Sequence, residues 1–244
     1  MSSSPTEAPP KPGAVPAADI PETARPALNT KVNTGVNSGV NSGVNDAVPL
    51  PPGRIALGVE YDGHGFSGFQ RQQHLRTVQG ELERALSLIA ARPLTLTCAG
   101  RTDVGVNATG QVVHFDCPVA RPLRAFTGGL NAMLPDDVTV RWARAVGEDF
   151  HARFSARARR YRYLIFCAEQ RPAQLRYLVT HCRQMPDLEL MQEAARVLPG
   201  EHDFSSFCAS LDSSRSHFRN VFFVEITRHG QLVCFDIAAN AFLA

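Results

Sequence analysis

Apolar and polar positions alternate along RIALGVEY (54–61), the period of a β-strand, and Asp62-Gly63 ends that run with turn chemistry. Thr77 then stands where a helix N-cap belongs, with Val78, Leu82, Ala85, Leu86 and Ile89 following at helical spacing. PLTLTC (93–98) and QVVHF (111–115) are β-branched and apolar, and predict two strands around an interval punctuated by Gly100, Gly105 and Gly110. Leu123 to Met133 is a weaker helical pattern, and VTVRWARAV (138–146) reads as a fourth strand. The predicted order is β-α-β-β-α-β, the split ferredoxin-like unit.

The chain then begins the pattern again. RRYRYLIFC (159–167) reads as a strand. Asp187 caps a helix with Leu188, Met191, Ala194, Ala195 and Leu198 on one face, and VFFVEITRHGQLVCFDI (221–237) is a hairpin around His229-Gly230. GQLVCFD (230–236) echoes GQVVHFD (110–116) at the matching place in the order, which favours a duplication. The expectation is an α+β protein of two ferredoxin-like, RRM-like halves, 54–150 and 151–244. They would form one long antiparallel sheet with helices on one face, the second half incomplete at β-α-β-β. Sheets of this type leave a face open to RNA.

From Met1 to about Gly53 there is no aromatic residue, and VNTGVNSGVNSGVN (32–45) is a four-residue repeat. Such a stretch has too little apolar surface to offset its ordering entropy, so residues 1–53 are expected to form a disordered tail. No basic start followed by an apolar run marks a signal peptide, and no stretch approaches a membrane span. The formal charge of +2 selects no partner, but Arg153, Arg157, Arg159, Arg160 and Arg162 concentrate basic character. Six scattered cysteines without a CxxC pair suit reduced core thiols in a cytoplasmic protein, and no metal-ligand spacing is present.

The chemistry centres on CAGRTDVGVNATGQVVHFD (98–116). An aspartate in a glycine-bounded loop is ordinarily a turn residue. This loop, however, resembles the signature of the tRNA pseudouridine synthase A family, usually AGRTDAGVHA before the strand; Val104 and Asn107 depart from it outside the Arg-Thr-Asp core. EYDGHGFSGFQRQ (60–72), FHARFSARARRYRYLI (150–165), GEHDFSSF (200–207) and FRNVFFVEITRHG (218–230) are similar to family segments in the same order. The resemblance implies conversion of uridine to pseudouridine at positions 38 to 40 of the tRNA anticodon arm, with no cofactor and no metal, by a homodimer. It makes Asp103 the catalytic carboxylate, attacking C1′ or abstracting a sugar proton while the N1–C1′ bond breaks, the uracil turns and C5 joins C1′.

Arg101 would fill the space of the flipped base or hold phosphate, and Tyr161, chosen over Tyr163 on the same strand face only by the resemblance, would stack on the target base and assist removal of the C5 proton. Phe66, Gln70 and Arg71 in the first loop, with Arg159 and Arg160, are candidate RNA contacts. The bland alternatives are a loop-bonding role for Arg101, packing for the phenylalanines and a solvated face for the arginines. In the family, ANAF (239–242) leads into a helix whose arginine pairs with the aspartate. Ala244 is the last residue here, so partly buried Asp103 would lack that arginine. Weak activity, aggregation and a binding-only tRNA-remodelling role are the corresponding expectation. A small-molecule carboxylate hydrolase is disfavoured, because a second acid, a partner histidine and a metal site are all missing.

Overall fold

In the computed structural model of the chain, residues 46–208 and 216–243 are described. Residues 1–45, the bulk of the expected tail, lie outside them. The described end of that stretch belongs to the fold: β1 (Pro49–Leu50) pairs with β5 (Arg121–Pro122), Arg124 N–H donates to Asp46 O, and Leu50 packs on the core.

The chain divides into two compact units. The first comprises, of the described residues, 46–157 together with Leu164–Arg183. Its sheet has the order β3-β4-β2-β6, all antiparallel, with β2 Gly53–Tyr61, β3 Thr97–Cys98, β4 Ala108–Cys117 and β6 Val138–Val146. Ile55, Leu57 and Val59 of β2, Val113 and Phe115 of β4, and Val138 and Val140 of β6 are buried. Helix α1 (Val78–Ala90) presents Val78, Leu82, Ala85 and Leu86 to the same core, each large aliphatic side chain contributing about 1.5–3 kcal/mol. Thr77 caps it by accepting the Gly80 amide, as its position predicts.

Two predicted elements are shorter than their patterns. Only Thr97 and Cys98 of 93–98 pair as a strand, because the Leu94 and Leu96 amides donate to Ser87 Oγ and Glu83 Oε1 of α1. Between Leu123 and Met133 the helix is split into a 3-10 turn (Leu123–Phe126) and α2 (Gly128–Asn131) by Thr127, whose φ and ψ are −116° and −86°. Asn131 then bonds both backbone groups of Val140 on β6.

The second unit comprises Ala158–Tyr163 and the chain from Gln184. Here β10 (Phe218–His229) and β11 (Leu232–Ala239) form the expected hairpin, and β9 (Gly200–Asp203) lies antiparallel on the outer side of β10. Helix α3 (Leu188–Ala195), capped by Asp187, packs Ala195 inward and bonds Ile226 O through Gln192. Ala194, expected on the inner face, is exposed. β7 (Arg159–Cys167) begins in this unit and neighbours β11, while its end, which pairs in parallel with β8 (Thr180–Cys182), belongs to the first unit. The α+β class therefore holds, but the described strands hydrogen-bond into three sheets instead of one long one, and the parallel β7–β8 pair makes the five-stranded sheet mixed.

Candidate active site

Asp103 occupies the tip of the loop between β3 and β4. Val106 N–H donates to Asp103 O at 3.2 Å, closing a turn in which Gly105 has φ +77°, a left-handed value that a side chain would strain. That explains Gly105 by backbone geometry alone. The arm leading up to Asp103 is held tightly. Ala99 N–H donates to Val112 O, Gln111 bonds Gly100 through both its N–H and its C=O, and Tyr61 OH lies 2.7 Å from Thr102 Oγ1. Phe69 N–H donates to Thr102 O at 2.9 Å and so draws the first loop alongside.

These two loops enclose an open pocket of about 270 Å³, lined by Ser67, Gly68, Phe69, Gln70, Gln72 and residues 101–104. Asp103 and Arg101, both exposed, therefore line one recess together with Gln70. The expected partial burial of Asp103 is not found: its carboxylate is open to solvent, and no side-chain hydrogen bond or ion pair holds it among the described residues. The recess therefore carries an exposed carboxylate and an exposed guanidinium, two residues apart in sequence, on its lining. Gln72 and Thr102 are additional wall residues that sequence reading passed over; the paired glutamines of FQRQ were the available signal.

The other candidates separate. Phe66 is 2% exposed under the Arg76 guanidinium, 4.1 Å away, so it belongs to the core and not to an RNA-facing surface. Arg71 lies outside the pocket wall, 3.0 Å from the buried Glu83 carboxylate, with its own side chain largely exposed. Tyr161, on β7, is 37% exposed and meets Phe242 edge-on at 4.8 Å, which leaves ring surface accessible. Arg159 donates to Asn240 O.

Arg160 makes a two-pronged hydrogen bond to Asp236, at 2.7 and 2.6 Å, and Arg162 adds a third at 2.7 Å. Burial alone would raise the Asp236 pKa, but these two guanidiniums outweigh it and hold the carboxyl below its ordinary value. Arg160, whose hydrogen bond to Asp236 raises its own pKa, is thus committed inside the protein and is removed from the phosphate-facing set. Among the described residues no group of His, Cys, Asp and Glu has the proximity a metal ion requires, no disulfide joins the six cysteines, and no helix is long and apolar enough to cross a membrane.

A family model described as tRNA pseudouridine synthase matches residues 58–155 and 194–244. The tRNA pseudouridine synthase A of Shewanella sp. (strain W3-18-1) is 56% identical over 190 residues, covering 78% of this chain and 73% of that protein. Those of Shigella boydii serotype 4 (strain Sb227) and Escherichia coli (strain SE11) are each 54% identical over 198 residues, covering 81% of this chain and 73% of theirs. With the Asp103 loop and the opening loop both inside the matched segments, the chain belongs to the tRNA pseudouridine synthase family.

Proposed function

We propose that this protein isomerises uridine to pseudouridine in the anticodon arm of tRNA, with Asp103 as the catalytic carboxylate. The carrying observation is the exposed Asp103 carboxylate at the end of a pinned loop, in the same pocket as Arg101. The N1–C1′ bond breaks, the C5–C1′ bond forms, the C5 hydrogen leaves as a proton and N1 gains one, so no external redox partner is needed. Asp103 acts at the sugar and Arg101 steadies the displaced nucleotide, while Tyr161 offers ring surface and a hydroxyl suited to RNA bases. Gln70, Gln72 and the exposed Arg153 and Arg157 supply further RNA contacts. The ferredoxin-like reading of the halves is supported in the first by its strand order. A homodimer in the cytoplasm fits the family reading.

The decisive experiment measures tritium release from C5-labelled uridine in a tRNA transcript. Asp103→Asn is expected to lower turnover by at least about 10³-fold while tRNA binding persists. Turnover of that variant at the parent's rate would overturn the assignment. Affinity is expected to fall with added salt, through release of counterions from the tRNA backbone.

A further inference from the structure

The two arms of the catalytic loop are anchored very differently. Upstream of Asp103, residues 99, 100 and 102 are each tied to β4, β2 or the first loop. Downstream, between Asp103 and the start of β4 at Ala108, the described bonds reduce to the Val106–Asp103 turn and one side chain, Asn107. Asn107 accepts the Gly63 amide on Oδ1 at 2.7 Å and donates from Nδ2 to Tyr177 O at 3.2 Å. Both segments that it touches have ties of their own, the first through the Asp62 amide, which donates to Asp137 O at 3.0 Å. Gly63 opens a 3-10 turn capped by Asp62, and it lies so close to the Val106 backbone that a Cβ there would collide with it. Tyr177 sits in a turn closed by Leu178 and Val179 amides on Leu175 O. Its ring stacks on His64 with centroids 3.3 Å apart, and the Arg176 guanidinium lies 4.2 Å from it.

We propose that Asn107 is a positioning residue: its carboxamide latches the downstream arm of the catalytic loop to Gly63 and to the turn at Tyr177, and thereby fixes where Asp103 is presented. The inference rests on Asp103 being the catalytic carboxylate. An amide suits the place because it supplies one acceptor and one donor at once. Asn107 does not line the pocket, so its influence falls on the geometry of the reaction and not on RNA affinity.

Single-turnover kinetics on a tRNA transcript test this with the full chain. Asn107→Ala is expected to lower the rate constant for modification by about 10- to 100-fold, the scale of a small misplacement, with the half-saturating tRNA concentration within about twofold of the parent. The Gly63 amide is expected to exchange with solvent at least about 10-fold faster in that variant, because its acceptor is gone. Asn107→Asp keeps the acceptor for Gly63 but turns an oxygen toward Tyr177 O, so a loss of about threefold or more is expected. It decides the matter if the alanine variant does not fold. A parental rate in either folded variant, or a loss carried by tRNA affinity alone, would overturn the latch. Asp103→Asn run alongside separates the failures: if it is inactive while the Asn107 variants match the parent, only the latch falls, whereas an active Asp103→Asn variant removes the premise.

Discussion

GQVVHFD, which lies within β4, and GQLVCFD, which enters β11, run alike until their last residue is compared in space. Val113 and Val233 are both fully buried, and Asp116 and Asp236 each pair with an arginine on a neighbouring strand, Arg54 on β2 and Arg160 on β7. The burial is inverted. The Asp116 side chain is 69% exposed, while Arg54 is tucked in and also donates to Glu148 O and Phe150 O. The Asp236 side chain is 8% exposed and lies between two guanidiniums. One ion-pair pattern thus does two jobs. In the first unit the cation gathers the loop that follows β6; in the second the anion organises the arginines of β7, the strand that carries Tyr161.

Removing Asp236 should have the largest effect. Asp236→Ala leaves Arg160 and Arg162 facing each other without their shared acceptor, with an expected loss of about 3 kcal/mol from the urea unfolding free energy. A loss under about 1 kcal/mol would erase the distinction between the two pairs. Acid titration of the parent sharpens the same point. Because the folded Asp236 pKa lies below the ordinary 3.8, its stabilisation is complete above that value and is lost as pH falls through the folded pKa.

A smaller effect is expected at the position where the echo has His114 in one strand and Cys234 in the other. Burial, then His151 and then Arg54 lower the His114 pKa, against an opposing pull from Asp116, and its Nδ1 accepts the Ala152 amide. The protonated ring cannot accept that bond. Stability from this group is therefore complete above pH 6.5 and declines as pH falls from 6.5 toward the folded value. Unfolding free energies at pH 7 and at lower pH in the parent and His114→Gln should show the slope diminished in the variant. The smallest change is expected for Asp116→Ala, within about 1 kcal/mol, since its carboxylate is solvated and Arg54 keeps two carbonyl partners.

Local signals were legible in the sequence wherever the determinant is local. The Thr77 and Asp187 caps, the 54–61 and 138–146 strands and the turn at His229-Gly230 follow from neighbours within a few residues. Asp103 and Arg101 were legible as a pair because their motif is contiguous, and the pocket holds both. What escaped depends on partners far along the chain. Leu94 and Leu96 give their amides to α1 side chains, Arg160 is claimed by a carboxylate 76 residues away, and Phe66 is covered by Arg76. Asn107 was visible only as a departure from the family pattern, since its two partners lie 44 and 70 residues away.

The wall of the Asp103 pocket spends much of its main chain on itself. Gly68 and Phe69 give their carbonyls to the Val78 and Gln79 amides that open α1, the Phe69 amide goes to Thr102 O, and Ser67 N–H goes to Arg76 O. Those groups are occupied within the protein, which leaves side chains as the free polar groups of the rim. The Gln70 and Arg101 side chains line the recess without taking part in these main-chain bonds, so a change at Gln70 or Arg101 leaves the frame that carries Asp103 intact. A recess built this way lets its side-chain lining change by single substitutions over evolutionary time without reopening the problem of folding.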